Sequence, residues 1–314
     1  MPELPEVAGL GRFLEKELLS AVLEKLQITS FAVLKTASPS YAELQGRRLK
    51  AVRRHGKFVD LDFSDSDPAS DDGAGGAVTA DGRSMSDDGG LHLVFHLAKA
   101  GWVRYSASPS DAPLKAGKGP IAARLLFRQD GQARGLDLTE AGTKKSLAVY
   151  VVRDPQQVPG IAALGPDPLE PGFGYPQLAQ ILAASSGQIK GLLRNQGVLA
   201  GIGNAYSDEI LHAARISPFA IAKSLDEPAV RSLYDAIENV LGAAVDSAVG
   251  KAASELKDAK RSTMRVHGRT GQACPVCGDT VREVSFADTS LQYCPHCQTG
   301  GKILADRRTS KFLK

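Results

Sequence analysis

The sequence is poor in the residues that staple chains together or carry them through membranes. It has four cysteines, one tryptophan and three methionines in 314 residues, and aromatic side chains make up 6% of it. Four cysteines in a chain this long are sparse. A chain of this length, enough for two or three domains with real cores, does not need a disulfide framework. No apolar run approaches a membrane span of about 18 residues. The acidic start, Met1-Pro2-Glu3-Leu4-Pro5-Glu6, lacks a signal-peptide pattern. The composition is that of a soluble globular protein, expected to be a cytoplasmic monomer.

The formal charge of +3 is unevenly spread. Residues 65–90 hold seven Asp against one Arg, a net of −6, so the remainder carries +9, and residues 251–314 hold twelve Lys/Arg against six Asp/Glu. A basic body with a basic C-terminal third suits a polyanion, although a solvated surface has the same composition. The 65–90 stretch is Ser, Asp, Gly and Ala. It reads as a disordered acidic loop set between two strands and turned away from any polyanion.

All four cysteines fall in one cluster, Cys274-Pro-Val-Cys277 and Cys294-Pro-His-Cys297, with sixteen residues between the pairs. Two CxxC turns at that separation are the pattern of a closed four-cysteine zinc site, structural rather than catalytic. Disulfide pairing is the competing reading, and nothing indicates an oxidising compartment. Val281, Val284, Phe286, Leu291 and Tyr293 between the pairs read as a β-hairpin.

The first six residues organise the rest. Removal of Met1, which a small second residue permits, leaves a proline with a free secondary amine. Such an amine attacks aldehydes, and its adduct is an iminium, cationic at every pH. An α-amino pKa of about 7.7–8.0 leaves a good fraction neutral near pH 7. Glu3 beside it is a candidate proton donor or relay. Val7, Leu10, Phe13, Leu14 and Leu18 recur at helical spacing, so the terminus is tethered to an amphipathic helix. Pro and Glu are also ordinary helix-start residues, and that reading competes.

Strands are expected over 23–29, 30–34, 49–63, 91–105 (as two), 121–128 and 145–153, six to eight in all, forming a β-sandwich-like domain. Lys57 stands at a strand entrance beside the basic cluster Arg53, Arg54 and His55, which also reads as a charged edge strand. His92 and His96 share a strand face. Metal binding, packing and a hydrogen-bond or phosphate contact are the roles open to them. A Pro/Gly stretch at 164–169 reads as a linker. Helices are expected over 177–184, 186–193, 204–213 and 228–249. The turn Gly201-Ile-Gly203-Asn204 feeds a helix whose bare N–H groups suit a phosphate, although it also reads as a tight helix–helix turn.

These pieces together resemble the bacterial formamidopyrimidine-DNA glycosylase / endonuclease VIII family. The matching residues are Pro2-Glu-Leu-Pro-Glu-Val7, Lys57, His96-Leu-x-x-x-Gly101, Leu164-Gly-Pro-x-Pro-Leu169, Ile189-Lys190, Gly201-Ile-Gly-Asn-Ala-Tyr-Ser-Asp-Glu209, His267-Gly-Arg269 and the cysteine cluster. They occur in the family's order along nearly the whole chain. The resemblance implies an α+β multidomain fold. An N-terminal two-layer β-sandwich would occupy 1–160, a helix–two-turn–helix domain 161–262, and a four-cysteine zinc finger with a basic tail 263–314. DNA containing damaged bases or abasic sites would lie in a basic cleft between the halves.

By the same resemblance, Pro2 is the nucleophile, Glu3 the proton shuttle and Lys57 a phosphate-gripping catalytic lysine. His96, Lys99, Lys190, Asn204, Tyr206 and Arg269 would contact DNA, and Glu209 would support the Gly-Asn turn. The implied activity is base excision followed by β,δ-elimination at the abasic site, in the cytoplasm of a bacterium at its nucleoid. One structural zinc would sit on Cys274, Cys277, Cys294 and Cys297.

Some positions depart from the family pattern. Lys99 stands where the family has a void-filling Met, and Gln156-Gln157-Val158-Pro159 replaces its Arg-x-Phe loop. The segment before His267 is short, Thr289 replaces a zinc-hairpin Arg, and Lys302, Arg307, Arg308 and Lys311 offer a substitute phosphate grip. A wedge between base steps needs apolar bulk. Two other readings therefore stand beside the enzyme: a non-catalytic binder of abasic sites, and a zinc-ribbon adaptor in which Pro2 only starts a helix.

Overall fold

The computed structural model describes residues 1–64, 90–110, 112, 114, 119–141, 145–286 and 289–306. The acidic stretch expected to be disordered, save Gly90, and the tail residues Arg307, Arg308 and Lys311 lie outside the described residues. The chain divides into two units. One comprises Met1–Pro2 with Gly11–Ala162, the other Glu3–Leu10 with Ala163–Lys314. Helix α1 (Leu4–Leu18) runs from the second into the first.

In the first unit, eight strands form two antiparallel sheets. β1 (Val22–Ile28), β5 (Gly101–Ser106), β6 (Ile121–Gln129) and β7 (Gln132–Glu140) make one in the order β1-β6-β7-β5. β2 (Ala51–His55), β3 (Phe58–Asp62), β4 (His92–His96) and β8 (Ala148–Val152) make the other in the order β2-β3-β4-β8. Period-two alternation decides which faces meet. Val59 and Leu61 of β3, Leu93 and Phe95 of β4, and Val149 and Val151 of β8 are buried with Leu125, Phe127, Leu136 and Leu138 of the other sheet. Phe63 stacks on Phe127 with ring centroids 6.4 Å apart. A short helix, α2 (Pro159–Ala162), closes the unit.

Two expectations change here. The segment 30–34 is a 3-10 turn, Phe31–Val33, not a strand. Its Phe31 is 71% exposed, so no alternating buried face holds the segment in a sheet. β7 was not foreseen. Asp130 and Gly131, both at positive φ, form the two-residue turn that joins it to β6.

The second unit is helical. α3 (Tyr175–Ala183), α4 (Ile189–Arg194), α5 (Asn204–Ala213) and α6 (Glu227–Ala248) enclose a core that includes Leu178, Ile189, Leu193, Ile202, Ile210, Leu233, Ile237 and Leu241, with Leu4 of α1 among them. Asp226 caps α6 by accepting from Ala229 N–H at 3.0 Å, with Pro228 in the first turn. α7 (Leu256–Thr263) then fills the short segment before His267. The zinc-finger hairpin β9 (Arg282–Ser285) and β10 (Ser290–Tyr293) and a short α8 (Pro295–Thr299) complete the unit.

Candidate active site and metal centre

The N-terminal stretch is docked, not frayed. The Glu3 carboxylate lies against the first turn of α5, where helix N–H groups have no intrahelical partner. Its Oε2 accepts from Gly203 N–H at 2.7 Å and Tyr206 N–H at 3.3 Å, and its Oε1 accepts from Ala205 N–H at 3.0 Å. Leu4 N–H donates to Gly201 O at 3.0 Å. The two glycines are required by this approach. A Cβ on Gly203 would stand 2.4 Å from Glu3 Cδ, and one on Gly201, at φ +86, would stand 2.7 Å from Leu4 Cβ.

The helix N-terminus expected to receive a phosphate holds a carboxylate of the same chain on the N–H groups of Gly203, Ala205 and Tyr206. The physical demand is the same in both cases, an anion on bare N–H groups at the positive end of a helix. Pro2, the residue before Glu3, is buried, while Met1 is 48% exposed.

Two further residues hold this arrangement. Glu6 Oε2 accepts from Glu3 N–H at 2.9 Å and from Lys260 Nζ at 2.7 Å, and Glu6 Oε1 accepts from the Tyr206 hydroxyl at 2.7 Å. Lys260 Nζ also lies 3.4 Å from Glu3 Oε1 and 4.7 Å from the centroid of the Tyr206 ring. Burial pushes the Tyr206 phenol upward, and Glu6 and Glu3 push it further, so it is a proton donor at any working pH. Tyr206, expected at DNA, thus has its hydroxyl turned inward onto Glu6. Neither Glu6 nor Lys260 was singled out from sequence. Their partners lie 200 and 254 residues away, and no local pattern marks them.

Lys190 is also held within the chain. Expected to hold a phosphate, it is 5% exposed, and its ammonium donates to Asn204 O at 3.1 Å, Ser207 Oγ at 2.7 Å and Asp208 Oδ1 at 2.7 Å. Those three bonds use the three N–H groups of a lysine. Burial lowers its pKa, against the pull of Asp208. Asp208 Oδ2 accepts from His267 Nδ1 at 2.8 Å.

Glu209, read as a supporting residue, accepts from the backbone N–H groups of Arg265, Val266 and His267 at 2.8, 3.0 and 2.8 Å. The Asn204 side chain donates through Nδ2 to Ser290 O of β10 at 2.8 Å, while its Oδ1 is buried with no partner among the described residues. Arg269 is half-buried, and its guanidinium donates to Met264 O, Arg261 O and Gln272 Oε1.

In the first unit, Lys57 occupies the two-residue turn between β2 and β3, after Gly56 at φ +55, and is 7% exposed. His96, paired with Phe58 across β3 and β4, packs tilted against its ring with centroids 4.7 Å apart. Burial, with the Lys57 charge nearby, lowers the imidazole to about 4, so it is neutral at pH 7. Lys99 is exposed in the turn between β4 and β5, where Gly101 N–H closes on Leu97 O at 2.8 Å. Gln156 is exposed in a closed 3-10 turn, its N–H held by Asp154 Oδ1 at 2.8 Å.

The basic cluster before Lys57 is largely neutralised. Arg53 pairs with Asp62, and His55 Nε2 lies 3.2 Å from Asp60 Oδ2. His92 Nδ1 meets Asp60 Oδ1 at 2.9 Å, so the carboxylate partner absent from its own strand comes from β3.

Cys274, Cys277, Cys294 and Cys297 bring their sulfurs within 4.8 Å of one another, and no disulfide joins them. Cys274–Cys297 and Cys277–Cys294 stand at 3.9 and 3.4 Å. A tetrahedral ion with metal–sulfur bonds of about 2.3 Å needs sulfur–sulfur edges of about 3.8 Å, so the set fits zinc. Among the described residues no other group gathers three such ligands. His212, in the last turn of α5, places Nε2 3.3 Å from Cys274 Sγ.

Comparison with known proteins agrees with this architecture. Three family models match: the formamidopyrimidine-DNA glycosylase N-terminal domain over residues 1–143, its H2TH domain over 164–256, and the zinc finger found in FPG and IleRS over 271–300. A formamidopyrimidine-DNA glycosylase of Thermus thermophilus is 30% identical over 310 residues, 96% of this chain and 100% of the relative. An uncharacterized formamidopyrimidine-DNA glycosylase-like protein of Mycobacterium tuberculosis is 59% identical over 152 residues, 48% of this chain and 95% of that one.

Among solved structures, the MutM (Fpg) protein of Thermus thermophilus superposes with a TM-score of 0.73 at 29% identity, covering 96% of this chain and 100% of that one. Lactococcus lactis Fpg in complex with abasic-site DNA shares the fold at a TM-score of 0.74 and 23% identity, covering 95% and 99%. The chain belongs to the formamidopyrimidine-DNA glycosylase family of DNA-repair enzymes. The β-sandwich, the H2TH helices and the four-cysteine finger expected from sequence are all present.

Proposed function

We propose that this protein is a bifunctional DNA glycosylase and abasic-site lyase acting on oxidised bases and abasic sites, with Pro2 as its nucleophile once Met1 is removed. The supporting observation is the dock itself. Glu3 is held by three backbone N–H groups, so the residue bonded to Pro2 cannot wander. The amine attacks C1′ of the damaged nucleotide, the base departs with its bonding pair, and the sugar ring opens to an iminium on Pro2. That cation acidifies the C2′ proton. Loss of the proton expels the 3′ phosphate, and a second elimination expels the 5′ phosphate.

Glu3 accepts backbone N–H donors in its dock, which suits a carboxylate that stabilises the cationic sugar and relays a proton at its ring oxygen. Lys57, in its turn, grips a flanking phosphate, and neutral His96 contributes a hydrogen bond rather than a charge. The target nucleotide has to leave the stack to reach Pro2, at a cost of a few kcal/mol that is least for a damaged or absent base. One zinc on the four cysteines stiffens the hairpin. We retain 1–160, 161–262 and 263–314 as the domain limits, and a monomer acting at the bacterial nucleoid.

Borohydride added to the protein on an abasic-site duplex should trap a covalent complex that Pro2→Gly abolishes. Wild-type protein that leaves no trapped complex would sink this reading. A second reading, an abasic-site binder with little base excision, draws on the exposed Lys99 and Gln156 standing where an apolar wedge is expected. It predicts tight binding of abasic-site analogues without nicking.

A further inference from the structure

We propose that Lys260 is a positioning residue for the catalytic terminus, fixing the Glu3 side chain directly and the Pro2–Glu3 peptide through Glu6. The proposal rests on the reading of Pro2 as nucleophile. Lys260 comes from α7, far along the chain from the terminus it serves.

Glu3 and Glu6 are each 3% exposed. Two carboxylates that close, both out of water, repel each other and lose hydration unless a cation joins them. Lys260 is that cation, at 2.7 Å from Glu6 Oε2 and 3.4 Å from Glu3 Oε1, with the Tyr206 ring face beneath it. Each bond has a separate effect. The contact with Glu3 Oε1 adds a cation to the oxygen that accepts from Ala205 N–H. The contact with Glu6 Oε2 fixes the oxygen that holds the Glu3 N–H, and that N–H belongs to the peptide joining Glu3 to Pro2.

Side chain and backbone on the C-terminal side of Pro2 are therefore anchored to one ammonium. Burial opposes the charge on Lys260, but Glu3 and Glu6 outweigh it and hold its pKa above the ordinary lysine value. It therefore stays protonated and is no rival nucleophile.

The test uses the full-length, metal-loaded protein with Lys260→Met and Lys260→Arg. In Lys260→Met, kcat for nicking an abasic-site duplex and the single-turnover rate of borohydride trapping should fall about a hundred-fold, the cost of misplacing a reacting group by about 1 Å. KM should stay unchanged, and Lys260→Arg should restore most of the rate. Lys260→Met trapping at the wild-type rate overturns the proposal, as does a rise in KM with kcat intact.

The pairing is checked without chemistry by the nitrogen-15 resonance of the Lys260 ammonium. It should be slow to exchange in the wild type and lost to fast exchange in Glu6→Gln. A resonance indifferent to Glu6→Gln also overturns the proposal. Failure of the wild type itself to trap defeats the Pro2 reading separately, and the ammonium resonance then decides whether Lys260 holds the terminus.

Discussion

Gly203→Ala isolates the dock from every other part of the protein. Gly203 has φ −126, a value any residue adopts, so alanine introduces no backbone strain there. What it introduces is a methyl group 2.4 Å from Glu3 Cδ, 2.6 Å from Glu3 Oε2 and 2.7 Å from Glu3 Cγ. The Glu3 side chain has to retreat, and with it go the bonds from Gly203 and Tyr206 N–H to Oε2. Hydrogen bonds to a charged group are worth about 1.5–3 kcal/mol each, and water recovers part of that, so a stability loss of about 2–4 kcal/mol is expected.

The trapping rate on an abasic-site duplex should fall about a hundred-fold, because the tether on Pro2 is loosened by about 1 Å. Gly191→Ala is the control. A Cβ there meets nothing within 4 Å on α4, and it should leave trapping intact while stabilising the helix by about 1 kcal/mol. The measurements are denaturant melts and single-turnover trapping of both variants. Wild-type trapping by Gly203→Ala would refute the claim that the glycine exists to admit Glu3.

Lys190→Met should destabilise the second unit by about 3–5 kcal/mol, because Asp208 is left buried with its cation removed. The logarithmic salt slope of duplex binding should not change, whereas loss of a phosphate contact lowers it by about one. Salt titrations by fluorescence anisotropy separate the two outcomes. For His96, the folded-state pKa of about 4 lies below the ordinary value of 6.5. The unfolded chain therefore takes up a proton between those values while the folded chain does not, and stability falls as pH drops from 6.5 to about 4. His96→Gln should remove at most about 3.4 kcal/mol of that fall, at about 1.36 kcal/mol per unit. Melts of both proteins across this range check it, and parallel curves would contradict the burial of the ring.

Local signals carried much of this fold. Gly201-x-Gly203-Asn204 marked the start of α5 at the residue where it begins, and the helix expected from residue 228 begins within one residue of it, at Glu227. Two CxxC turns located the metal ligands because tetrahedral coordination imposes its own spacing. β7 was missed although Asp130-Gly131 announced it, because Gln132, Arg134 and Asp137 obscure its alternation. α7 was missed because Leu256 alone among its eight residues is buried, so it has almost no apolar stripe to show.

The intramolecular partners of Lys190 and Tyr206 were illegible for a different reason. Nothing in a stretch of sequence says whether a lysine faces solvent or an aspartate one helix away. His92 is the same case, since its partner Asp60 is 32 residues away on the neighbouring strand.

The N-terminal anchor has a consequence for biosynthesis. The first residues off the ribosome find Gly203 two hundred residues later and Lys260 later still. At about 5–20 residues per second, the terminus waits for something like half a minute before its seat exists. On the reading of Pro2 as nucleophile, that interval is when Met1 is trimmed, and a truncated or stalled polypeptide carries the proline without its cradle, so only a finished molecule is armed.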